Sequence, residues 1–199
     1  MIIFNNQKEL KEHLSKVKNS LIGFVPTMGA LHQGHISLIS KSKALCDITV
    51  CSIYVNPTQF NKSDDFLNYP KRIKDDIQLL EKNNCDILYS PEDVDLYKRD
   101  EIAKNYNFNG IELSLEGKYR PGHFNGMATI VEKLLNIVKP QMVFFGEKDL
   151  QQLMIIKELV KQNNISTKVI GCPIIREKNG LAKSSRNQHL SKLIESIVV

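Results

Sequence analysis

The chain has 199 residues, 42% hydrophobic and 25% charged, which suits one domain with a packed core, or one domain with a small appendage. Its formal charge of +5 is spread along the chain without a block of five or six like charges, so it fits an anionic ligand and does not call for nucleic acid. No apolar run approaches the ~18 residues of a membrane helix, and Met1–Phe4 is too short for a signal-peptide core, so the chain reads as cytoplasmic with no membrane partner.

In chain order, Leu21 to Val25 reads as a strand, and Leu38, Ile39, Leu45 and Cys46 then recur at helical spacing. Ile48 to Val55, rich in β-branched residues, is a second strand. Ile73, Ile77 and Leu80 mark a helix, followed by a short strand around Ile87 to Tyr89. Residues 91–125 hold Pro91, Gly110, Gly117, Pro121 and Gly122 and predict loops and short elements. A helix follows on Met127, Ile130, Val131, Leu134 and Val138, ended by Pro140, and then a strand, Met142 to Phe145. Leu150, Leu153, Met154 and Leu159 define another helix, and Lys168 to Ile175 a strand interrupted near Pro173. Repeats and low-complexity tracts are absent. The four cysteines, Cys46, Cys51, Cys85 and Cys172, form no C-x-x-C pair and are expected as small buried hydrophobes.

Strands alternating with helical segments predict an α/β fold, a Rossmann-like doubly wound parallel sheet with flanking helices. Ligands in such sheets sit beyond the carboxyl ends of the strands, which directs attention to the loops after Val25, Val55, Phe145 and Ile175. The first of these is Pro26 to His35, PTMGALHQGH. Its two imidazoles lie one turn apart where a helix begins, and a helix N-terminus offers free N–H groups and a positive dipole end to a phosphate. Gly34 is expected to let a phosphate approach closely. An H-x-x-H metal pair is the competing reading, without a third ligand nearby. Neither a Walker A sequence nor a G-x-G-x-x-G fingerprint occurs, so any nucleotide must be held by the histidine loop.

The loop Asn56-Pro57-Thr58-Gln59-Phe60 carries two amides suited to a ligand with hydroxyl and carboxylate groups, although a turn with an Asn cap explains it equally well. Gly146-Glu147-Lys148-Asp149, with Gln152 one turn on, offers a lysine for phosphate charge and an aspartate for a ribose hydroxyl or for orienting the lysine; a helix start with an acidic first turn is the plainer alternative. Lys183-Ser184-Ser185-Arg186-Asn187 combines hydroxyls and cations, with Arg186 able to grip phosphate bidentately, or else forms a polar helix cap.

The segments GFVPTMGALHQGH, VNPTQF, NYPKR, EGKYRPGHFNG, FFGEKDLQQL and IIREKNGLAKSSRN, in this order, resemble the pantothenate synthetases of the HxGH nucleotidyltransferase superfamily across nearly the whole chain. The resemblance implies an ATP-dependent ligase that joins pantoate to β-alanine through a pantoyl adenylate, releasing pyrophosphate and AMP. It implies that Met28, Gly29, Ala30, Leu31, His32, Gln33, Gly34 and His35 contact ATP, with His35 as proton donor and His32 beside it on the phosphates. Gly146, Glu147, Lys148, Asp149, the backbone at Ile175, Lys183, Ser184, Ser185 and Arg186 would complete the ATP site. Gln59 would bind pantoate and then β-alanine, and Gln152 pantoate, with Asn56 nearby. Mg²⁺ would bridge the phosphates, held through water by Asp75 or Asp76. The repulsion between carboxylate and triphosphate calls for concentrated positive charge, expected from His32, His35, Lys148 and Arg186 with the serine hydroxyls.

Three departures from the family pattern stand out. The tyrosine-proline-arginine segment reads Tyr69-Pro70-Lys71-Arg72, Lys183 stands where methionine is common, and the sequence ends at Val199. Residues 1–188 are expected to form the catalytic domain, and 189–199 the start of a truncated C-terminal lid domain of the kind that closes over the nucleotide and contributes to a homodimer. Two other readings are a related nucleotidyltransferase, which would require a phosphorylated acceptor, and a non-catalytic ATP- or pantoate-binding module.

Overall fold

In a computed structural model of the protein, which describes residues 1–61 and 63–189, strands and helices alternate along the chain. The order is β1 (Ile2–Phe4), α1 (Gln7–Lys16), β2 (Ile22–Thr27), α2 (Gln33–Leu45), β3 (Ile48–Ile53), α3 (Ser63–Leu67), α4 (Ile73–Lys82) and β4 (Ile87–Tyr89). Then come α5 (Asp93–Leu96), α6 (Leu115–Tyr119), α7 (His123–Val138), β5 (Met142–Gly146), α8 (Leu150–Gln162) and β6 (Lys168–Cys172). Short 3₁₀ segments at Pro57–Gln59, Glu147–Asp149 and Ser185–His189 lie in three of the four loops marked out by the sequence.

Every strand pairing is parallel, in the order β1-β4-β3-β2-β5-β6. Successive strand residues point to opposite faces, and both faces are covered, as a parallel sheet requires. Phe24, Val50, Ile87 and Val143 join α1, α7 and α8 in one core, while Val25, Cys51, Leu88 and Phe144 join α2 and α4 in the other. α7 is apolar over most of its circumference, with Met127, Ile130, Val131, Leu134 and Val138 all buried, because the sheet, α1 and α8 all pack around it. The architecture is the expected doubly wound α/β fold.

β2 has β3 on one side and β5 on the other, so the strand order reverses between β2 and β5. Loops leaving the carboxyl ends of these strands diverge to opposite faces and leave a crevice between them. The sequence reading missed β1 and α1. β1 is a three-residue edge strand whose apolar side chains stay largely in solvent, and α1 turns only Leu10 and Leu14 fully inward, too narrow a stripe to register as a period. β6 stops at Cys172, before Pro173, which has no N–H for the ladder.

The four cysteines are free, with Cys51, Cys85 and Cys172 buried. Among the described residues no helix is long and apolar enough to cross a membrane. Apart from His189, the segment 189–199, expected to begin a second domain, lies outside the described residues.

Candidate active site at the sheet switch point

β2 delivers the histidine loop. After Thr27 the chain reverses through Gly29 and Ala30, with φ of 80° and 49°. A left-handed alanine costs roughly 1–2 kcal/mol, and the loop holds it with a carboxylate. Asp76, on α4 and only 2% exposed, accepts the Ala30 N–H at 2.9 Å on one oxygen and the Leu31 N–H at 2.7 Å on the other. Burial raises the Asp76 carboxyl above its ordinary range, against the pull of those two amides. A Cβ on Gly29 would meet Asp76 Oδ2 at 2.9 Å. Both oxygens of Asp76 are thus engaged in shaping the loop.

The two histidines then cap α2. His32 is the N-cap, and its Nδ1 accepts the Gly34 N–H at 3.1 Å; His35 Nδ1 accepts the His32 N–H at 3.2 Å. A backbone amide can only donate, so each Nδ1 carries a lone pair and each neutral ring keeps its proton on Nε2. The rings lie 4.1 Å apart between centroids. Burial, with His32 and Lys148 nearby, lowers the His35 pKa to about 3, and burial with Lys148 and Lys183 lowers that of His32. The imidazoles, expected to supply positive charge, are instead favoured in their neutral form by burial, His35 strongly and His32 in the same direction. Gly34 lines the cleft and has a further reason besides the one expected. A Cβ there would meet the His32 ring at 2.8 Å, so the glycine makes room for the imidazole.

One cleft gathers Met28, His32, Gly34, His35, Gln59, Gly146, Lys148, Asp149, Gln152, Ile175, Lys183, Ser184, Ser185 and Arg186. Gly29, Ala30, Leu31, Gln33 and Glu147 do not line it. The first three shape the loop from behind. Asn56, expected beside the substrate, is 1% exposed and lies outside the cleft's lining, bonded to Gln59. Asp75 is exposed and lines a separate small cavity with Ala30, Leu31, Arg72 and Asp76, so it too is outside the cleft.

Each of these three cations at the cleft has a carboxylate partner. Lys148 pairs with Asp149 at 2.7 Å, Lys183 with Glu177 at 2.8 Å and Arg186 with Asp65 at 3.1 Å. All three pairs are partly exposed and so worth little, which leaves the cations ready to exchange a carboxylate for a phosphate. The extra lysine, Lys183, does face the cleft. Lys71 instead lies over the Phe66 ring, 5.4 Å from its centroid.

The sequence reading gave no role to several residues that the fold brings here. Arg120, His123, Glu116 and Tyr69 line the same cleft. His123, 6% exposed, faces the Gln59 carbonyl with Nδ1 at 2.7 Å and the Arg120 guanidinium with Nε2 at 3.1 Å. Arginine only donates, so Nε2 accepts and Nδ1–H donates to Gln59. Burial lowers the His123 pKa, consistent with that neutral form. Arg120 also pairs with Glu116 at 2.5 Å. The signal was present in EGKYRPGHFNG, but the residues that meet around Gln59 are too far apart in sequence for spacing to reveal it.

The sequence matches the family model for pantoate-beta-alanine ligase over residues 2–196. It is 49% identical over 194 residues to the pantothenate synthetase of Flavobacterium psychrophilum, spanning 96% of this chain and 69% of that one. The pantoate-beta-alanine ligase of Francisella tularensis, crystallised in complex with beta-gamma ATP and beta-alanine, superposes with a TM-score of 0.92 at 48% identity, over 96% of this chain and 74% of that chain. The pantothenate synthetase of Thermus thermophilus superposes with a TM-score of 0.93 at 36% identity, over 99% and 70%. The chain belongs to the pantoate–β-alanine ligase family.

Proposed function

We propose that the cleft binds ATP and pantoate, forms pantoyl adenylate, and then passes the pantoyl group to β-alanine to give pantothenate. A pantoate carboxylate oxygen attacks the α-phosphorus of ATP, the bond to the β-phosphate breaks, and pyrophosphate leaves. The β-alanine amine then attacks the acyl carbon, loses a proton and expels AMP. The observation that carries this reading is the meeting, in one cleft at the switch point, of Nε2–H donors, four cations (Arg120, Lys148, Lys183 and Arg186) and two glutamine side chains from separate segments.

In this reading Lys148, Lys183 and Arg186 neutralise the triphosphate, and His32 and His35 donate Nε2–H bonds to its oxygens from the positive end of α2. Neutral donors in a shaped site serve the charge that develops on the pyrophosphate leaving group, while the lysines and arginine carry the net charge. Gln59 and Gln152 receive the acid substrate, and Arg120 next to Gln59 offers a guanidinium for a carboxylate. Mg²⁺ would arrive with ATP, most of its ligands being phosphate oxygens and water. The carboxylate assigned to it, Asp75, does not face the cleft, and both Asp76 oxygens hold the loop. Neither carboxylate offers the metal an oxygen inside the cleft.

A homodimer is also proposed. Leu113, Leu115, Tyr119, Leu150 and Met154 expose large apolar side chains on segments that Gln151 ties together, and size-exclusion chromatography with light scattering tests it. Four free cysteines fit a reducing compartment, here the cytoplasm.

The deciding experiment is ATP–pyrophosphate exchange with and without pantoate, followed by AMP release on adding β-alanine. Exchange is expected only with pantoate present. Exchange that ignores pantoate would sink the substrate assignment.

A further inference from the structure

The side-chain amide of Asn56 is buried and makes four hydrogen bonds. Its Nδ2 donates to the Gly126 carbonyl at 3.1 Å and to Gln59 Oε1 at 3.2 Å. Its Oδ1 accepts from the Tyr97 hydroxyl at 2.7 Å and from the Thr58 hydroxyl at 3.1 Å. The polarity of this network has one solution. A backbone carbonyl can only accept, so the Asn56 atom facing Gly126 must be the nitrogen, and the oxygen then faces Tyr97. With both Asn56 N–H groups engaged, Gln59 must present its own oxygen to Asn56. Its Nε2 is left on the cleft side, 2.9 Å from Met28 Sδ.

Gln59 therefore shows the cleft a donor, and the group that orients it from the far end is Tyr97. The Tyr97 ring is fixed beneath the ammonium of Lys133, 4.9 Å from the centroid, and that ammonium is paired with Glu101 at 2.6 Å. Tyr97 lies outside the cleft's lining. We propose that Tyr97 is a positioning residue: through Asn56 it holds Gln59 with Nε2–H toward the acid substrate, making the subsite specific for an acceptor oxygen, a carboxylate or hydroxyl of pantoate. This rests on the reading of Gln59 as a pantoate contact.

Tyr97→Phe removes one hydroxyl and keeps the ring. The shortest bond to Asn56 Oδ1 is lost and Thr58 alone remains, so Asn56 and Gln59 gain freedom to turn. Freed from that bond, Gln59 holds Nε2–H toward the substrate for only a fraction of the time, and the apparent affinity falls by that fraction, to about a tenth for a side chain that turns readily. The KM for pantoate is expected to rise by about tenfold, with the KM for ATP close to wild type and the thermal midpoint lowered slightly, since the lost hydrogen bond is one of the fold's own. In a Gln59→Ala background the same substitution should raise it less than twofold, because the group it orients is gone. Where Gln59→Ala turns over too slowly, the pantoate Kd from calorimetry supplies the same comparison. The proposal is overturned by a pantoate KM that moves less than twofold in Tyr97→Phe. It is equally overturned by effects that add fully in the double variant, or by a parallel rise in the KM for ATP. Wild-type exchange that needs no pantoate would bring down the underlying substrate assignment, and this proposal with it, before any variant is measured.

Discussion

In the proposed reading His35 serves structure and chemistry with different atoms. Its Nδ1 closes the cap of α2, and its Nε2–H is left for the cleft. His35→Asn offers an oxygen in place of Nδ1 but nothing in place of Nε2–H. Loss of one such donor lowers kcat by ~10²–10³, and single-turnover adenylation should show it; a loss under fivefold would remove His35 from this role. The same variant tests the neutral state. The His35 pKa of about 3 lies below the ordinary 6.5 that applies in the unfolded chain. As pH falls, the unfolded chain takes up a proton that the native state refuses, so stability is lost on the acid side. By pH 5 this one histidine removes about 2 kcal/mol relative to pH 8. His32 and His123 shift in the same direction, so the wild type keeps an acid sensitivity that His35→Asn should reduce but not abolish in urea melts. Equal losses in both proteins would mean that the native state does protonate His35. The H-x-G-H spacing made these residues legible as a site. Their charge state was not legible, because it depends on burial and on which backbone amides the ring nitrogens meet.

In the proposed reading α7 carries the acid-substrate side of the cleft, by contact with the 3₁₀ turn Pro57–Gln59. His123 at its first turn bonds the Gln59 carbonyl, and Gly126 lies directly against the turn. A Cβ on Gly126 would fall 2.1 Å from the Thr58 carbonyl oxygen and 2.8 Å from Gln59 Cα, both backbone atoms that cannot simply rotate away. Gly126→Ala must therefore push the turn outward. Overpacking of this kind costs roughly 1–3 kcal/mol, which a thermal melt would register. Gln59 moves with the turn, so the pantoate KM should rise more than the ATP KM; equal changes would argue against a selective displacement. The apolar period made α7 readable from Met127 onward. Its first turn was hidden among the glycines and prolines of 91–125, since it starts beyond a left-handed Gly122 and its inward residues include a histidine and a glycine. The role of Gly126 depends on a turn roughly 70 residues away, which no local pattern can report.

Across the whole molecule, the alternation of strand and helix announced a parallel sheet, and the absence of a glycine-rich phosphate fingerprint directed attention to the histidine loop. The strand order did not follow from the pattern, because periodicity says which face a strand buries and not which neighbour it takes. That order brings the loops after β2 and β5 to either side of one crevice and adds the turn after β6, so cations distant in sequence act on the same space. The sum of their fields has a testable consequence. Lys148, Lys183 and Arg186 each keep a partly exposed carboxylate partner, an interaction worth ~0–1 kcal/mol. A triphosphate brings several negative charges against all three at once. Salt weakens both kinds of attraction, since the screening length falls from ~10 Å at 0.1 M to ~3 Å at 1 M. The pull of three cations on the triphosphate is the stronger of the two, so screening should raise the ATP KM several-fold between about 0.05 and 0.5 M potassium chloride. The pantoate KM should change less, because pantoate brings a single negative charge to one guanidinium, Arg120, and its remaining contacts are glutamine amides that do not depend on net charge. Sucrose at matched osmolality controls for solvent effects. If the two KM values rise in step, or the ATP KM stays flat, the three cations are not the groups that hold the nucleotide.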